Sequence, residues 1–355
     1  MDKYRIDSHK LLYHPQRVSD WVKGKNIYPL YMEASPSGAC NHRCVYCGLD
    51  FMKYQPRYLD TSIFLKRLTE FGRLGLKSIM YAGEGEPLLH KDIVSIVQKT
   101  RACGIDAALT TNGVLLKKEV ASDLLRSCTW IKVSINAGAK ETYAKIHRCP
   151  EKDFDMVIQN MSYAAALRKD KGFSCTLGMQ MVLLPDNARE VLLLAKKARK
   201  IGMDYLVIKP YSQHPQSITK RYQAIKYQPY EKLKKDLQGL NSSSFSTIFR
   251  LNTMQKWDES RPAYERCLGL PFWSYVDAGG DVWGCSVFLG NPKFYYGNLY
   301  QKTFQQIWEG SRRKRSLLWA KKNLHPCRCR VNCRMDEVNR YLWELKNPSA
   351  HVNFI

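Results

Sequence analysis

At 355 residues the chain is long enough for about two domains of ordinary size. Its 45% hydrophobic and 12% aromatic content provides for a sizeable core and excludes a disordered scaffold. Lys and Arg number 56 and Asp and Glu 32, and the resulting net charge of +24 favours polyanionic partners such as phosphates, nucleotides or nucleic acid.

No apolar run approaches the ~20 residues that span a bilayer. The segment MDKYRIDSHKLLYHPQ lacks the apolar centre of a secretory signal. A cytoplasmic location is therefore expected, and there the twelve cysteines point to metal rather than to disulfides. Three are close together at Cys40, Cys44 and Cys47, and five more are Cys267, Cys285, Cys327, Cys329 and Cys333. Cys103, Cys128, Cys149 and Cys175 stand singly. This distribution suggests two metal sites on two domains.

In chain order, Pro29 to Ser35 reads as a first strand, followed by the cysteine loop. Asp60 or Thr61 caps a helix whose apolar stripe is Phe64, Leu65, Leu68, Phe71 and Leu74, with Gly75 placed to stop it. Ser78 to Ala82 is a second strand, and a helix covers about Asp92 to Cys103. A third strand, Ile105 to Thr110, precedes a helix from about Lys117 to Arg126. Trp130 to Asn136 is the fourth strand, with helical patterns around Tyr143 and over Phe154 to Leu167. Leu177 to Leu184 is the fifth, a helix fills about Ala188 to Gly202, and Tyr205 to Pro210 is the sixth.

Six strand-plus-helix units in a row imply a parallel sheet with right-handed crossovers. An open doubly wound sheet and a partial barrel both satisfy the pattern, and in both the ligand site lies at the carboxyl ends of the strands. Residues 212–262 are polar, basic and weakly patterned, with a short helix expected at Tyr230 to Leu237 and a loop at Asn241 to Ser244. A hairpin follows, turning at Gly279 and Gly280. Helices are expected at Phe304 to Trp308, Arg312 to Lys321 and Met335 to Leu345.

Cys40, Cys44 and Cys47 form C-x3-C-x2-C just after the first strand. Three thiolates on one loop can hold three irons of a 4Fe–4S cluster and leave the fourth open. From spacing alone, the alternative is a closed zinc site with His42 as fourth ligand. Tyr46 immediately precedes the third cysteine, the second strand ends in Gly83-Glu84-Gly85-Glu86-Pro87, and the third ends in Thr110-Thr111-Asn112-Gly113. The fourth strand carries Ser134 and Asn136, whose i, i+2 spacing puts both on one face.

In this order these segments resemble the radical S-adenosylmethionine (radical SAM) superfamily over roughly Tyr28 to Tyr211. The resemblance implies a partial (β/α)6 TIM-like barrel, a 4Fe–4S cluster on Cys40, Cys44 and Cys47, and S-adenosylmethionine as cofactor. It further implies that Tyr46 lies along the adenine, that the Gly83, Gly85 and Glu86 loop meets the methionyl amino group, and that Ser134 and Asn136 meet the ribose. The expected chemistry is reductive cleavage of the cofactor to a 5′-deoxyadenosyl radical, which abstracts hydrogen from a substrate. An external one-electron donor such as flavodoxin or ferredoxin would supply the reduction. Glu84 separates the two glycines, a departure from the family's Gly-Gly-Glu loop.

The later cysteines resemble the SPASM/twitch extension of that superfamily. Five cysteines are too few for two four-cysteine clusters, which implies one auxiliary 4Fe–4S cluster and two clusters in all. Cys267, Cys285 and Cys333 match best, and the fourth ligand is Cys327 or Cys329. The competing assignment is a zinc ribbon of Cys267, Cys285, Cys327 and Cys333. The domains expected are an N-terminal extension (1–27), a radical SAM core (28–215), a connecting segment (216–262), an auxiliary-cluster domain (263–345) and a tail (346–355).

Lys209, Gln213 and His214 at the end of the sixth strand, with Glu33 and Gln180, are the substrate candidates, and Cys149 is a candidate hydrogen donor. About 28 residues precede the first strand, which weighs against a leader-binding domain and a peptide substrate. The last residues, HVNFI, lack the terminal Gly-Gly of the molybdopterin-pathway cyclases. The main expectation is therefore an enzyme acting on a small polar substrate, phosphorylated or sugar-like, by dehydrogenation, epimerisation or rearrangement. A peptide-modifying maturase is the runner-up. A zinc-containing nucleic-acid-binding protein is the alternative of another class, although nucleic acid is not the expected partner.

Overall fold

The computed structural model describes residues 3–6, 8–259 and 263–354. Its strands are β1 (Tyr31–Ala34), β2 (Ser78–Tyr81), β3 (Asp106–Thr111), β4 (Cys128–Ser134), β5 (Thr176–Leu183), β6 (Tyr205–Pro210), β7 (Ser246–Phe249), β8 (Trp273–Val276), β9 (Asp281–Trp283) and β10 (Tyr295–Asn298). They form one sheet in the order β10-β9-β8-β1-β2-β3-β4-β5-β6-β7. Neighbours from β1 to β7 are parallel.

The helices between these strands begin where the sequence allows them to. Asp60 caps the helix Thr61–Arg73, its carboxylate accepting the Ile63 N–H at 2.9 Å. Phe64, Leu68 and Phe71 then repeat at helical spacing and are buried.

Alternate strand residues go to opposite faces. Ile79, Tyr81, Leu109, Ile131, Val133, Leu206 and Ile208 join the main core with helix residues such as Phe64, Ile96, Leu124, Val157 and Leu194. The other face carries small clusters without those helices: Met80, Ala82 and Ala108 in one, Tyr205, Val207 and Ile248 in another. With the crossover helices packed on one face only, the fold is a partial barrel rather than a doubly wound sheet. Tyr4 and Ile6 pack on the inner face beside Tyr205, at the amino end of β6.

The stretch expected to be a weakly patterned connection supplies β7, which extends the barrel beyond β6, and the helix Leu251–Glu259. Its alternation is too short to stand out among polar residues, and only pairing with β6 stabilises it as a strand. The short helix expected there runs over Leu233–Gln238. The hairpin β8–β9 forms as expected, but β8 also pairs in parallel with β1, Glu33 opposite Tyr275. The C-terminal unit thus continues the barrel sheet from the edge that β1 would otherwise expose. Helices Phe304–Trp308, Ser311–Asn323 and Asp336–Lys346 complete it. Among the described residues, no helix is long and apolar enough to cross a membrane.

Candidate active site

The loop bearing Cys40, Cys44 and Cys47 leaves the carboxyl end of β1 and is pinned by its own backbone. Arg43 N donates to His147 O at 3.0 Å and Val45 N to Ile146 O at 2.9 Å, and Cys47 N closes a turn on Cys44 O at 3.1 Å. Burial pushes the Cys40 thiol up to about 12 and raises Cys44 and Cys47 as well. A cationic centre reverses such shifts, because it stabilises the thiolate.

Close groups of ligand atoms among the described residues are His42 with Cys44 and His147, and His42 with Cys149 and Asp153, each within 4.8 Å. Cys40 and Cys47 enter neither. His42 Nε2 is already 3.0 Å from Asp153 Oδ2. A single zinc ion bonds sulfur at about 2.3 Å and needs its ligands gathered. Three loop thiols that are not gathered suit a multi-iron centre with one thiolate per iron better than a closed zinc site.

The second-strand loop fits against this cysteine loop because of its glycines. Gly83 lies at φ +106°, and a Cβ there would meet Ser35 Oγ at 1.7 Å. A Cβ on Gly85 would meet the Ala39 carbonyl oxygen at 2.0 Å. The buried Glu86 carboxylate accepts Asn112 N at 2.7 Å and Thr111 Oγ1 at 2.5 Å, and Glu86 N donates to Ala39 O at 2.8 Å. Glu86 therefore ties β3 to the cysteine loop. Glu84, the residue that departs from the family pattern, accepts from Arg57 at 2.8 Å and from Ala278 N at 3.2 Å. It joins the barrel loop to the β8–β9 turn.

Asn136 and Tyr46 meet: the Asn136 amide donates to the Tyr46 hydroxyl. The Asn136 oxygen accepts Val182 N at 2.6 Å, which ties the end of β4 to β5. Asn136 adopts φ +50°, a conformation that asparagine tolerates better than most residues. Its amide is thus spent on Tyr46 and β5, while Ser134 stays half-buried on the inner face.

Near the C-terminus, Cys285, Cys267, Cys329 and Cys333 pack into one cluster with Phe272, Trp273 and Val287. Cys327 is exposed and outside it. Backbone or amide N–H groups reach three of the four sulfurs: Val287 N to Cys285 at 3.5 Å, Met335 N to Cys333 at 3.4 Å, and Asn339 Nδ2 to Cys267 at 3.8 Å. Such donors suit thiolate ligands of a cluster.

Of the substrate candidates, Lys209 and Glu33 face the lumen, Lys209 on the inner side of β6 with Val207 and Glu33 near the base of the cysteine loop. Gln180 shares that face, in register with Ser134 and Val207. Gln213 is occupied by Tyr211 OH and by the carbonyls of His214 and Thr219. His214 receives Gln216 N at Nδ1, 3.1 Å, and lies 3.3 Å from Ser286 O through Nε2. Burial lowers its pKa to about 4, with Arg330 adding to the effect. Gln213 and His214 therefore hold the loop and the domain junction, while Lys209 faces inward. Cys149 sits beside Asp153 and His42, packed against the helix-side core rather than on the inner face.

Sequence analysis did not single out Lys132, Arg330 or Arg334. Lys132 shares the inner face of β4 with Trp130 and Ser134. Arg334 Nε pairs with Glu33 Oε2 at 3.0 Å, and Arg330 Nε donates to Ser212 Oγ at 2.6 Å. The spacing Cys329-Arg330 and Cys333-Arg334 was visible, but nothing in the sequence alone aims those arginines into the barrel.

The family model of the radical SAM superfamily matches residues 34–204, and that of an iron–sulfur cluster-binding domain, SPASM, matches 267–334. The GTP 3′,8-cyclase of Limosilactobacillus fermentum is 32% identical over 147 residues, covering 40% of this chain and 43% of that protein. The probable GTP 3′,8-cyclase of Pyrobaculum aerophilum is 32% identical over 165 residues, covering 46% and 52%. The matches thus span about half or less of these curated relatives. Among solved structures, Streptococcus suis SuiB bound to precursor peptide SuiA aligns with a TM-score of 0.64 at 19% identity, over 84% of this chain and 69% of that one. The anSMEcpe structure with bound AdoMet gives 0.59 at 18%, over 87% and 91%. Both are likenesses of fold.

Proposed function

Since this chain belongs to the radical SAM superfamily and carries a SPASM iron–sulfur domain, we propose that it acts on a small polar substrate held in the barrel lumen between two cysteine sets. The observation that carries this reading is that the segment bearing Cys329 and Cys333 reaches both the first cysteine loop, where Arg330 lies against Gly48, and the inner face of the barrel, where Arg334 pairs with Glu33 on the face that also carries Lys132 and Lys209. The chain is an enzyme whose cofactors are 4Fe–4S clusters and S-adenosylmethionine.

When bound at the three-cysteine site, the reduced cluster and S-adenosylmethionine supply a 5′-deoxyadenosyl radical that takes hydrogen from an unactivated C–H bond. The protein's part is to bind, orient and exclude water. In this reading Cys40, Cys44 and Cys47 hold the first cluster and leave one iron open. Asn136 fixes the Tyr46 ring along the cofactor's base. Gly83 and Gly85 let the second-strand loop approach, and Glu86 keeps it tied to β3. Cys267, Cys285, Cys329 and Cys333 hold the auxiliary cluster, with Cys327 outside the set. Lys209 and Lys132, aided by Glu33 and Gln180, orient the substrate. The radical SAM core runs from β1 through β7, and the auxiliary domain begins near Cys267. A one-electron donor of the flavodoxin or ferredoxin kind and a cytoplasmic setting complete the reading.

A second reading takes a purine nucleotide as substrate. The identity to GTP 3′,8-cyclases over 120–165 aligned residues favours it, and so does the basic lumen. Incubation of the reduced enzyme with GTP and S-adenosylmethionine separates the two: a cyclised product supports the second reading, and unaltered GTP the first.

The central test is the triple variant Cys40→Ala, Cys44→Ala, Cys47→Ala after anaerobic reconstitution. It should contain roughly half the iron of the wild type, by the ligand count of two clusters. It should form no 5′-deoxyadenosine with dithionite. Cleavage by that variant would refute the proposal.

A further inference from the structure

The inner face of the barrel gathers more cations than the two lysines already assigned to the substrate. Lys132 projects from β4 and Lys209 from β6. Arg250, which follows β7, donates its N–H to the carbonyl of Ile208, the residue before Lys209, at 3.0 Å. Arg330 and Arg334 enter from the other side, on the segment that carries Cys329 and Cys333. The carboxylate recorded against this group is Glu33, paired with Arg334. Setting Arg250 aside, four basic side chains thus share one carboxylate.

The donors of the two arginines are only partly used. Arg330 makes its hydrogen bond through Nε to Ser212, and its terminal nitrogens lie beside Gly48, 3.6 and 3.9 Å from where a Cβ would stand. Arg334 Nε stands 3.0 Å from Glu33 Oε2 as an ion pair, while the hydrogen-bond contact recorded for its Nη1 is the Met80 thioether at 3.9 Å, a weak acceptor. Yet 44% of the Arg334 side chain remains accessible, although it lies among strand residues of the barrel interior. The Tyr31 hydroxyl beneath it is buried without a hydrogen-bond partner, and the Arg334 guanidinium sits 5.8 Å from the Tyr31 ring.

Gathering like charges where water is scarce is costly unless an anion joins them. The charges repel: burial pushes Lys132 down to about 7, with Arg334 and Arg250 adding to the effect. Lys209 is also lowered well below the ordinary lysine range, by burial first and then by Lys132, Arg330, Arg250 and Arg334. Guanidinium forks match phosphate oxygens in pairs, and lysines supply point charge beside them.

We propose that Arg330, Arg334, Lys132 and Lys209 form a binding site for a diphosphate-bearing substrate, so that the peptide of the auxiliary centre also grips the substrate. This deepens the preceding reading and rests on its placement of the substrate in the lumen. Gly48 follows Cys47, so Arg330 lies between the two cysteine sets, and an anion held there sits next to the first centre. The auxiliary domain then has a binding role that does not depend on electron transfer.

The test is calorimetric titration of the reconstituted holoenzyme, with S-adenosylmethionine present, by inorganic pyrophosphate. Acetate serves as a singly charged control. Saturable one-site binding of pyrophosphate is expected, weakening steeply with salt. Arg330→Gln and Arg334→Gln should each weaken it roughly tenfold or more, the scale of a charge-assisted hydrogen bond. Their iron content and circular dichroism should match the wild type. Lys132→Met, remote from both cysteine sets in sequence, serves as a further variant should the arginine changes disturb the auxiliary centre, and it should weaken binding similarly. The double variant Lys314→Ala, Arg315→Ala removes exposed cations of the helix Ser311–Asn323 and should bind as the wild type does. The inference is overturned if pyrophosphate does not bind saturably, if lumen variants that keep their iron bind it normally, or if the surface variant loses it equally. These outcomes concern binding alone, and 5′-deoxyadenosine formation reports separately on the radical reading.

Discussion

Cys327 and Cys329 are separated by one residue and end in different surroundings. Cys327 is exposed, whereas Cys329 packs with Cys267, Cys285 and Cys333. Cys327→Ser should therefore keep its full iron content, and Cys329→Ala should lose up to about half of it, one of two clusters. Iron and sulfide quantitation after anaerobic reconstitution measures both. Equal loss in the two variants would show that the assignment between them is wrong. Lys132 gives a second expectation at this scale. It faces Lys209, Arg250 and Arg334 as like charges and Glu33 as the opposite one, and its pKa is pushed down to about 7. An anion bound beside it would raise that value. At pH 8 the complex would then hold more protons than the free enzyme, so binding should take up protons, and the uptake due to Lys132 should disappear in the Lys132→Met variant. Calorimetry in buffers of different ionisation enthalpy reads the proton count, and proton release at pH 8 would contradict the sign.

Elements do here what single residues cannot. The loop after β2 reads as a turn with an inserted glutamate, and the fold makes each of its residues a separate joint. Gly83 and Gly85 give room against Ser35 and Ala39, Glu86 reaches β3, and Glu84 reaches the β8–β9 turn. Gly85→Ala places a Cβ 2.0 Å from the Ala39 carbonyl oxygen, a backbone atom that cannot swing aside. The loop or the cysteine segment must shift, and this variant should bind S-adenosylmethionine at least tenfold more weakly, on the scale of a displaced positioning group. Its iron content should be retained. Equilibrium dialysis decides it, and wild-type affinity would mean that the loop is not part of the cofactor site. The strands β1 to β6 were legible because apolar alternation and helical stripes recur in a regular order. β7 was not, because Ser246–Phe249 is four residues long among polar neighbours and owes its conformation to β6. The helix Pro15–Val22 escaped notice for a similar reason: its one buried residue, Val18, packs on Leu270 and Phe272 far along the chain.

Across the whole molecule, the two cysteine sets lie on parts of a single sheet. β8, which follows Cys267, is hydrogen-bonded to β1, which leads into Cys40. Backbone continuity does not make their chemistry inseparable, since Cys267, Cys285, Cys329 and Cys333 pack in a cluster that includes none of Cys40, Cys44 and Cys47. The variant Cys267→Ala, Cys285→Ala should keep the iron of the first site and still form some 5′-deoxyadenosine, while any product from a bound substrate is lost. Chromatography of the nucleoside products, with iron content as the folding control, tests this. Complete loss of cleavage with the first-site iron intact would show that the centres do not act separately.

The sequence by itself carried the family resemblance, the succession of strands and helices in the core and the two groups of cysteines, because those features are local. Loop spacing puts three thiols on one short segment, and periodicity declares a strand or helix within a few turns. What only the tertiary structure decided depends on contacts between distant segments. It packed Cys329 rather than Cys327 with Cys267, Cys285 and Cys333, spent Gln213 and His214 on the domain junction, and put Cys149 on the helix side of the sheet. It also turned Arg330 toward Ser212, 118 residues earlier, and Arg334 toward Glu33 on β1. A side chain's direction follows from the backbone that carries it and from what that backbone packs against, and for these residues the partner lies on another part of the chain.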